Sequence, residues 1–333
     1  MNKALALNSL AQQGPTQGTV LFHPILMHFA ARFHGTTYGS FASDYRVLVE
    51  SNVACLEQFG HDAVSVISDP YRETAAFGTP VTFPEDGVPA RTATIVNTLD
   101  DVKELKNPDV HKAERTLDRI RGVEYYRELI GDTVPVLGWV EGPLAESCDL
   151  AGDSDILLKI MLEPDFVRLL MDKCLITAKD FARAQIEAGC DVIGVGDAIC
   201  SQISLDLYSD FVLQLHRELF DYIHSHGALV KLHICGNIGH LLPKIGETGA
   251  DIVDLDWMVD LDDAHRELGN EVILCGNIDP VSVIQNKQAD EVLAASQELV
   301  ASETGRRFIL SGGCEITVAT PYENLQAMRD ATL

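Results

Sequence analysis

Eight short apolar segments alternate along this chain with longer segments of helical pattern. The apolar segments, rich in Val, Ile and Leu, are typical of strands buried in a parallel sheet; they lie at 20–22, 63–67, 134–140, 191–197, 229–233, 252–256, 272–280 (with its turn) and 307–311. The helical segments lie at 44–59, 101–130 (two helices), 150–188, 206–227, 239–249, 261–268, 290–304 and 322–332. Eight such repeats predict an α/β fold, the (β/α)8 TIM barrel, which accommodates 333 residues as one domain.

Two further segments complete the predicted domain organisation. Residues 1–19 form a polar N-terminal arm, and the barrel occupies residues 20–333. The segment 81–97 combines Pro and Gly with β-branched residues, which favours a small hairpin excursion after the second strand. An open doubly wound sheet is disfavoured, because no G-x-G-x-x-G or Walker A sequence follows a strand.

The charge of the chain limits its partners. Its 50 Asp and Glu residues outnumber its 25 Lys and Arg residues, giving a formal charge of −25. Such a surface repels a phosphate backbone, so we expect no nucleic-acid partner. No apolar run is long enough to span a bilayer, and residues 1–19 lack the pattern of a signal peptide. The eight Cys residues are scattered and expected to be reduced. We therefore expect a cytoplasmic protein with no membrane partner.

The fifth predicted strand ends in a pair of metal-binding residue types. His233 and Cys235 are two positions apart, so in an extended chain they point to the same side. Cys314 follows the eighth strand, after a Gly-Gly turn. One imidazole and two thiolates suit Zn²⁺ and leave a fourth tetrahedral position open, as in catalytic zinc sites. The alternative is that His233 is a hydrogen-bonded core residue and that both cysteines are small apolar fillers.

A third cysteine repeats part of this pattern. The sequence around Cys275, Leu-Cys-Gly-Asn, resembles Ile-Cys-Gly-Asn around Cys235. We rank Cys275 below Cys314 as a ligand, because Cys275 lies inside a strand and Cys314 lies beyond one.

Polar residues at strand ends are candidates for the same site. In a barrel the carboxyl ends of all strands share one mouth, and the candidates there are Glu141, Asp197, Asp256 and Asn277. The loop 68–78 after the second strand adds Asp69, Tyr71 and Arg72, which we predict to shape the substrate entrance. Residues 23–34 contribute His23 and His28, which belong either to a pocket or to an ordinary packed helix.

The set of His233, Cys235 and Cys314 resembles the zinc site of the uroporphyrinogen decarboxylase superfamily, in its methylcobamide:coenzyme M methyltransferase branch. The resemblance runs from about Val20 to the C-terminus, and it is most specific at 233–237, 275–280 and 311–315. It implies that these three residues bind Zn²⁺ and that a corrinoid is a co-substrate. Because the chain has no fused corrinoid-binding domain, a separate corrinoid protein is the implied partner.

The implied reaction is methyl transfer between the corrinoid and a second substrate. Zn²⁺ would either hold a thiol as its thiolate or polarise a methoxy or other methyl donor, so the direction of transfer stays open. Decarboxylation of a porphyrinogen is one alternative, but residues 27–33 lack the R-Q-A-G-R type of segment with which the decarboxylases bind substrate carboxylates. A non-catalytic barrel with a structural zinc is another, and it requires a permanent fourth ligand: Glu141 first, then Glu315 or Asp256.

Overall fold

The computed structural model describes residues 20–333, and its core is a parallel sheet of eight strands. The strands, labelled β1 to β8 in chain order, are Leu21–Phe22, Val64–Ser65, Val136–Glu141, Val192–Gly196, Leu229–His233, Ile252–Asp254, Ile273–Ile278 and Phe308–Gly312. They pair in sequence from β2 to β8, and β8 pairs with β1. Between β1 and β2 the backbone N–H of Asp62 donates to the carbonyl oxygen of Phe22 at 2.8 Å. The predicted (β/α)8 barrel is confirmed.

Helices connect the strands along the whole described chain. The α-helices are His28–His34, Tyr38–Ser43, Tyr45–Phe59, Arg72–Ala76, Leu99–Glu104, Glu114–Ile130, Pro143–Ala151, Asp153–Leu162, Pro164–Ala188, Leu205–Leu207, Leu213–Ser225, Leu242–Ile245, Leu261–Leu268, Ala289–Ser302 and Tyr322–Asp330. A 3₁₀-helix spans Ala198–Gln202, and π-helical turns span Tyr208–Val212 and Pro280–Gln285. Within residues 20–333 none of the helices has both the length and the apolar character needed to cross a membrane.

The connections refine several sequence predictions. The predicted hairpin is present, since Val81–Thr82 pairs antiparallel with Ala90–Arg91. The predicted loop 68–78 contains a short helix, Arg72–Ala76. The single helical region 150–188 is broken at Gly152, which has φ of +109°, and again before Pro164. The predicted arm, residues 1–19, lies outside the described residues and stays a prediction.

The barrel interior is filled from all eight strands. Alternation along each strand sends every second side chain inward, and one apolar layer takes residues from each of them: Leu21, Ala63, Leu137, Val192, Leu229, Ile252, Ile273, Cys275 and Ile309. Cys275 is 1% exposed within this layer, which supports ranking it below Cys314 as a ligand. Residues two and four positions further along the strands lie nearer the carboxyl ends, where the polar groups gather.

A glycine on β4 makes room for the one tryptophan inside the barrel. A Cβ atom at Gly194 would overlap Cε3 of Trp139, so the indole ring occupies the space that a side chain would fill. Trp139 is 3% exposed, and its ring centroid lies 5.9 Å from that of His233. Gly194 therefore determines where Trp139 packs, and Trp139 borders the first candidate metal ligand.

We expect Gly194→Ala to destabilise the fold by about 1–3 kcal/mol, because the added methyl group must displace a buried ring. Urea unfolding followed by circular dichroism measures the change. Gly122→Ala is the matched control: it lies in the helix Glu114–Ile130, and its added Cβ would stand 3.4 Å from Val66, an ordinary contact. The control should be at least as stable as wild type, since Ala favours helix more than Gly. Equal stability of Gly194→Ala and wild type would contradict this account of Trp139.

Candidate metal centre

The three predicted ligands meet at the carboxyl ends of β5 and β8. His233 ends β5, Cys235 follows two residues later, and Cys314 lies in the turn after β8. His233 Nε2 lies 3.0 Å from Cys235 Sγ, and the two sulfurs of Cys235 and Cys314 are 3.6 Å apart. All three donor atoms lie within 4.8 Å of one another. The tertiary structure thus joins residues that are 79 positions apart in sequence.

These distances fit a tetrahedral zinc ion. With Zn–S bonds of about 2.3 Å and a Zn–N bond of about 2.0 Å, two sulfurs stand about 3.8 Å apart and a nitrogen and a sulfur about 3.5 Å apart. The sulfur pair is therefore already at the required separation, and His233 and Cys235 need to open by roughly half an ångström. One nitrogen and two sulfurs also form the soft donor set that Zn²⁺ accepts.

Two glycines allow the cysteine turns to approach so closely. Gly236, directly after Cys235, has φ of +88°, a left-handed conformation that favours glycine. Its N–H donates to Asp256 Oδ2 at 3.0 Å. A Cβ atom at Gly313, directly before Cys314, would overlap the backbone nitrogen of Trp257. The Gly-rich character of both turns follows from this close packing.

A buried charged chain orients the imidazole. Asp254 Oδ2 lies 2.9 Å from His233 Nδ1, and Lys231 Nζ lies 3.0 Å from Asp254 Oδ1. Burial raises the pKa of Asp254, but Lys231 and His233 outweigh it and hold that pKa below its usual range. Asp254 therefore accepts from Nδ1 and leaves Nε2 facing the sulfurs. The sequence analysis did not select Lys231 or Asp254, although a charged residue inside an apolar strand is a signal for both.

The pKa values of the two thiols shift in opposite directions. The hydrogen bond from Cys235, aided by His233, lowers the pKa of Cys314 to about 4 against the opposing effect of burial. The same hydrogen bond, together with burial, raises the pKa of Cys235. The site therefore holds a thiolate at neutral pH, which is the form that binds metals.

Comparison with known proteins shows the family of this chain. The family described as Uroporphyrinogen decarboxylase (URO-D) matches residues 7–332. The chain belongs to the uroporphyrinogen decarboxylase family. It is 30% identical over 235 residues to the Methylcobamide:CoM methyltransferase MtbA of Methanosarcina mazei, an alignment that covers 70% of this chain and 68% of the relative. It is also 28% identical over 303 residues to the Uroporphyrinogen decarboxylase of Coxiella burnetii, covering 88% of this chain and 82% of the relative.

A solved structure shows the same fold. A methyltransferase from Methanosarcina mazei aligns with a TM-score of 0.89 at 21% identity, covering 99% of this chain and 97% of the other. The resemblance found in the sequence and the expectation of an enzyme of the uroporphyrinogen decarboxylase family are confirmed.

Glu141 lies at the same level of the barrel as the candidate metal ligand His233. In the sheet register Glu141 pairs with Gly196, and Gly196 pairs with His233, so only a residue without a side chain separates the two across β4. Arg72 Nη2 donates to Glu141 Oε1 at 2.5 Å. Burial raises the pKa of Glu141 well above its usual value, and Arg72 opposes that shift. The predicted strand-end carboxylate is thus inside the barrel, bound to an arginine.

Asp197 does not face the mouth, and its expected place there is wrong. The last residue of β4 faces inward, and Asp197 is the next residue, so its side chain turns outward. Asp197 is fully buried, and it accepts hydrogen bonds from Ala145 N at 2.8 Å and His216 Nε2 at 3.0 Å. Asp197, His216 and Cys200 form a second group of mutually close donor atoms. Because His216 Nδ1 also bonds the hydroxyl of Tyr208 at 2.9 Å, this group is a satisfied polar network of the helix layer.

Asp256 and Asn277 support loops rather than facing the three donors. Asp256 accepts from the N–H of Gly236, as described above, and from that of Met258 at 3.3 Å. Asn277 Nδ2 donates to the carbonyl oxygens of Val259 at 2.8 Å and Asp256 at 3.3 Å. Asp256 thus holds the turn after the candidate ligand Cys235, and Asn277 holds the turn 256–259.

The predicted entrance residues separate into buried and accessible ones. Arg72 is fully buried, and Asp69 is 5% exposed and forms an ion pair with Arg115. Tyr71 is the half-buried member of the three. Arg72 and Asp69 therefore lie in the interior beneath the loop, Tyr71 is the most accessible of the three, and a role at the substrate entrance stays a prediction.

The two predicted histidines also differ. His23 is 7% exposed inside the barrel, with Nδ1 3.1 Å from Lys231 Nζ, so it belongs to the charged chain below the ligands. His28 is half-buried, stacks on Tyr38 with ring centroids 4.7 Å apart, and donates its backbone N–H to Glu315 Oε1 at 3.0 Å. Glu315 follows Cys314 directly, so His28 is placed beside the candidate metal centre and His23 is not.

We expect Asp254→Asn to weaken zinc binding by about 10- to 100-fold, the usual effect of removing the group that orients a histidine ligand. Competition with a chromophoric chelator measures the affinity. Asp263→Asn, a change at an exposed carboxylate on the helix Leu261–Leu268, is the control and should bind zinc as wild type does. An unchanged affinity in Asp254→Asn would show that the carboxylate does not position His233.

Proposed function

We propose that this protein is a zinc-dependent methyltransferase that moves a methyl group between a corrinoid, carried on a separate protein, and a thiol or a methoxylated or methylated small molecule. The observation that carries the proposal is the convergence of one imidazole and two thiols at the carboxyl ends of β5 and β8. Among residues 20–333 no carboxylate joins that group of donor atoms, which leaves a coordination position for a substrate.

The relative named Methylcobamide:CoM methyltransferase supports the corrinoid part of the proposal, because this chain shares 30% of its residues over the aligned 235. A thiol is our first choice of second substrate, since thiolates and Zn²⁺ are well matched in softness. Methoxylated and methylated compounds belong in the same screen, because the residues of the site fix no direction of transfer.

The residues of the site have separable roles in this reaction. His233, Cys235 and Cys314 would hold Zn²⁺, which when bound supplies a Lewis acid that keeps a thiol deprotonated or polarises a leaving group. Asp254 holds the imidazole so that Nε2 faces Cys235 Sγ and would be free to bind the ion. Glu141, at the same level of the barrel, is the carboxylate available on the substrate side. His28 and Tyr71, both half-buried, are candidates for substrate contact.

Decarboxylation of a porphyrinogen is the alternative that a relative's name brings in. That reaction requires groups that bind several substrate carboxylates, and Arg32 is the arginine of the segment 27–33. Its Nη2 donates to the carbonyl oxygen of Thr320 at 2.6 Å, and its guanidinium lies 4.6 Å from the ring centroid of Tyr322. Because these contacts within the chain use the Arg32 guanidinium, it is not free to bind a substrate carboxylate. This favours methyl transfer over porphyrinogen decarboxylation.

A structural zinc is the second alternative. Each carboxylate that we considered as a permanent fourth ligand has another partner: Glu141 binds Arg72, Asp256 binds the backbone of Gly236, and Glu315 binds the backbone of His28. These contacts favour an exchangeable fourth position.

We expect Cys235→Ala and Cys314→Ala each to lose the zinc and to reduce methyl transfer by more than 100-fold, because two remaining donors hold zinc poorly and the Lewis acid is lost. Metal analysis gives the zinc content. Absorbance of methylcobalamin or cob(I)alamin, screened against thiols and methoxylated or methylated compounds, gives the activity. Cys55→Ala, at a cysteine buried in the helix Tyr45–Phe59, is the control and should keep both.

X-ray absorption at the zinc edge separates the catalytic proposal from a structural zinc. A catalytic site should gain one sulfur neighbour when the productive thiol is added. Full zinc in both cysteine variants, or turnover without any corrinoid, would reject the proposed function.

The partner must deliver its cobalt to the face that carries Cys314. Methyl transfer places donor and acceptor in line, so a corrinoid protein would cover the mouth of the barrel and the loops after β1, β2 and β3. The rim there includes two exposed apolar side chains, Trp257 at 50% and Met258 at 43%, next to the Gly313 turn. With a formal charge of −25, contact with an acidic partner would depend on shape rather than on charge.

We expect the cognate corrinoid protein to slow amide exchange at residues 68–78, 257–258 and 313–315, since docking removes these segments from solvent. Hydrogen-exchange mass spectrometry of the mixture measures the protection. The control is the same partner freed of its corrinoid, which tests whether the cofactor adds to the contact. Protection limited to the amino-terminal ends of the strands would reject this orientation.

A further inference from the structure

Four carboxyl groups cluster beside the carboxyl end of β3. They come from the helix Arg72–Ala76, from β3 itself and from the helix Pro143–Ala151, and they are Glu73, Glu141, Glu146 and Asp149. The three glutamates are at most 7% exposed, and Asp149 is half-buried. Carboxyl groups this deeply buried require counter-ions, hydrogen bonds or bound protons.

Two carboxyl oxygens of the cluster have no hydrogen-bond partner. Glu73 Oε1 accepts from the N–H of Glu141 at 2.9 Å, and Glu146 Oε2 accepts from the hydroxyl of Thr74 at 3.1 Å. The remaining oxygens, Glu73 Oε2 and Glu146 Oε1, are buried and have no hydrogen-bond partner. A buried ionised carboxylate in that condition is costly, and a protonated one is much less so.

The cations around the cluster are too few to neutralise it. Arg72 lies 2.5 Å from Glu141 and 3.6 Å from Glu73. Arg91 donates to the carbonyl oxygens of Cys148 and Asp149 and reaches the carboxylate of Asp153 at 3.3 Å, so its charge is shared with a further acid.

Burial with too few cations raises the pKa values of the carboxyl groups in the cluster. Burial, followed by repulsion from neighbouring carboxylates, raises the pKa of Glu146 well above its usual value. Burial raises the pKa of Asp149 to about 8, with Arg91 opposing and Asp153 and Glu73 adding to the shift. Burial also raises the pKa of Glu73, against the opposing effect of Arg72. All of these shifts favour the protonated form, so the buried carboxyl groups of the cluster are able to take up a proton.

The cluster begins at the level of His233 and ends at a partly exposed residue. Glu141 stands at the level of His233 with Gly196 between them, and a Cβ atom at Gly196 would lie 3.2 Å from Glu141 Oε2. Glu146 and Asp149 are three residues apart on one helix, so their side chains share a face. Asp149 is the member that reaches solvent.

We propose that this cluster carries the proton of an incoming thiol from the metal centre to solvent, entering at Glu141 and leaving at Asp149. The inference rests on the proposed function. In this step the S–H bond would break, the sulfur would keep the electron pair as a thiolate for the Zn²⁺ that His233, Cys235 and Cys314 would hold, and the proton would bond to a carboxylate oxygen of Glu141. A proton then leaves Asp149 for water, and nothing is oxidised or reduced.

The test measures proton release when 2-mercaptoethanol is mixed with the zinc-loaded protein in weakly buffered solution containing a pH indicator. In wild type we expect about one proton per thiol bound, released as fast as the thiol binds. In Glu146→Gln and Asp149→Asn, which keep the side-chain shape but cannot relay a proton, we expect release roughly tenfold slower or more, at the lower end of what a positioned proton acceptor contributes. Zinc content and equilibrium thiol affinity should be unchanged.

Glu303→Gln is the matched control. Glu303 is 1% exposed but bonds His265 at 2.6 Å and lies outside the cluster, so its variant should release protons at the wild-type rate. Infrared difference spectra of wild type supply a readout without any variant: a carboxylic-acid C=O band should change when thiol is added and shift in D₂O.

The outcomes distinguish this inference from the proposed function. Thiol binding at zinc with wild-type proton release in both cluster variants, or without any carboxyl change in the infrared, would overturn the relay and leave the methyltransferase proposal standing. Failure of 2-mercaptoethanol to bind at zinc would overturn the relay, whereas the methyltransferase proposal is rejected by full zinc in both cysteine variants or by turnover without any corrinoid.

Discussion

The ion pair between Lys231 and Asp254, enclosed by the barrel, is the interaction on which the geometry of the candidate metal centre depends. Lys231 is 1% exposed and Asp254 5%, and removing either would leave an unpaired buried charge that costs about 3–5 kcal/mol. The pair is kept ionised because each residue has a second polar contact: Asp254 with His233, and Lys231 with His23. The imidazole is therefore held by a buried carboxylate whose charge Lys231 balances.

The barrel interior contains a second charged network on the opposite side of β4. Arg72, fully buried, holds Glu141 and Glu73 as Lys231 holds Asp254. The two networks differ in balance, because the first pairs one cation with one carboxylate and a histidine, whereas the second has more carboxyl groups than cations. The balanced network suits a fixed position for a ligand. The unbalanced one suits movement of a proton.

The barrel was predictable from sequence because a parallel sheet imposes a repeating pattern. Strands buried on both faces read as apolar runs, and each needs a long connection back to the same end of the sheet. The convergence of three soft donors was predictable for the same reason: His233, Cys235 and Cys314 each lie at or just beyond the end of an apolar strand, and carboxyl strand ends meet at one mouth. The helix Arg72–Ala76 and the breaks at Gly152 and Pro164 were harder to predict, since short helices depend on tertiary contacts more than on pattern.

By itself the sequence determined the fold, the positions of the three soft donors and the family resemblance, because these follow from periodicity and from residues next to strand ends. Only the tertiary structure decided which carboxylates belong to the site. Asp197 and Glu141 both end apolar strands, yet one residue of register turns Asp197 into the helix layer and Glu141 into the barrel. Only the structure shows that Asp254 orients His233. This role depends on two neighbours from β5, Lys231 and His233, which only the folded sheet brings within 3.0 Å of Asp254.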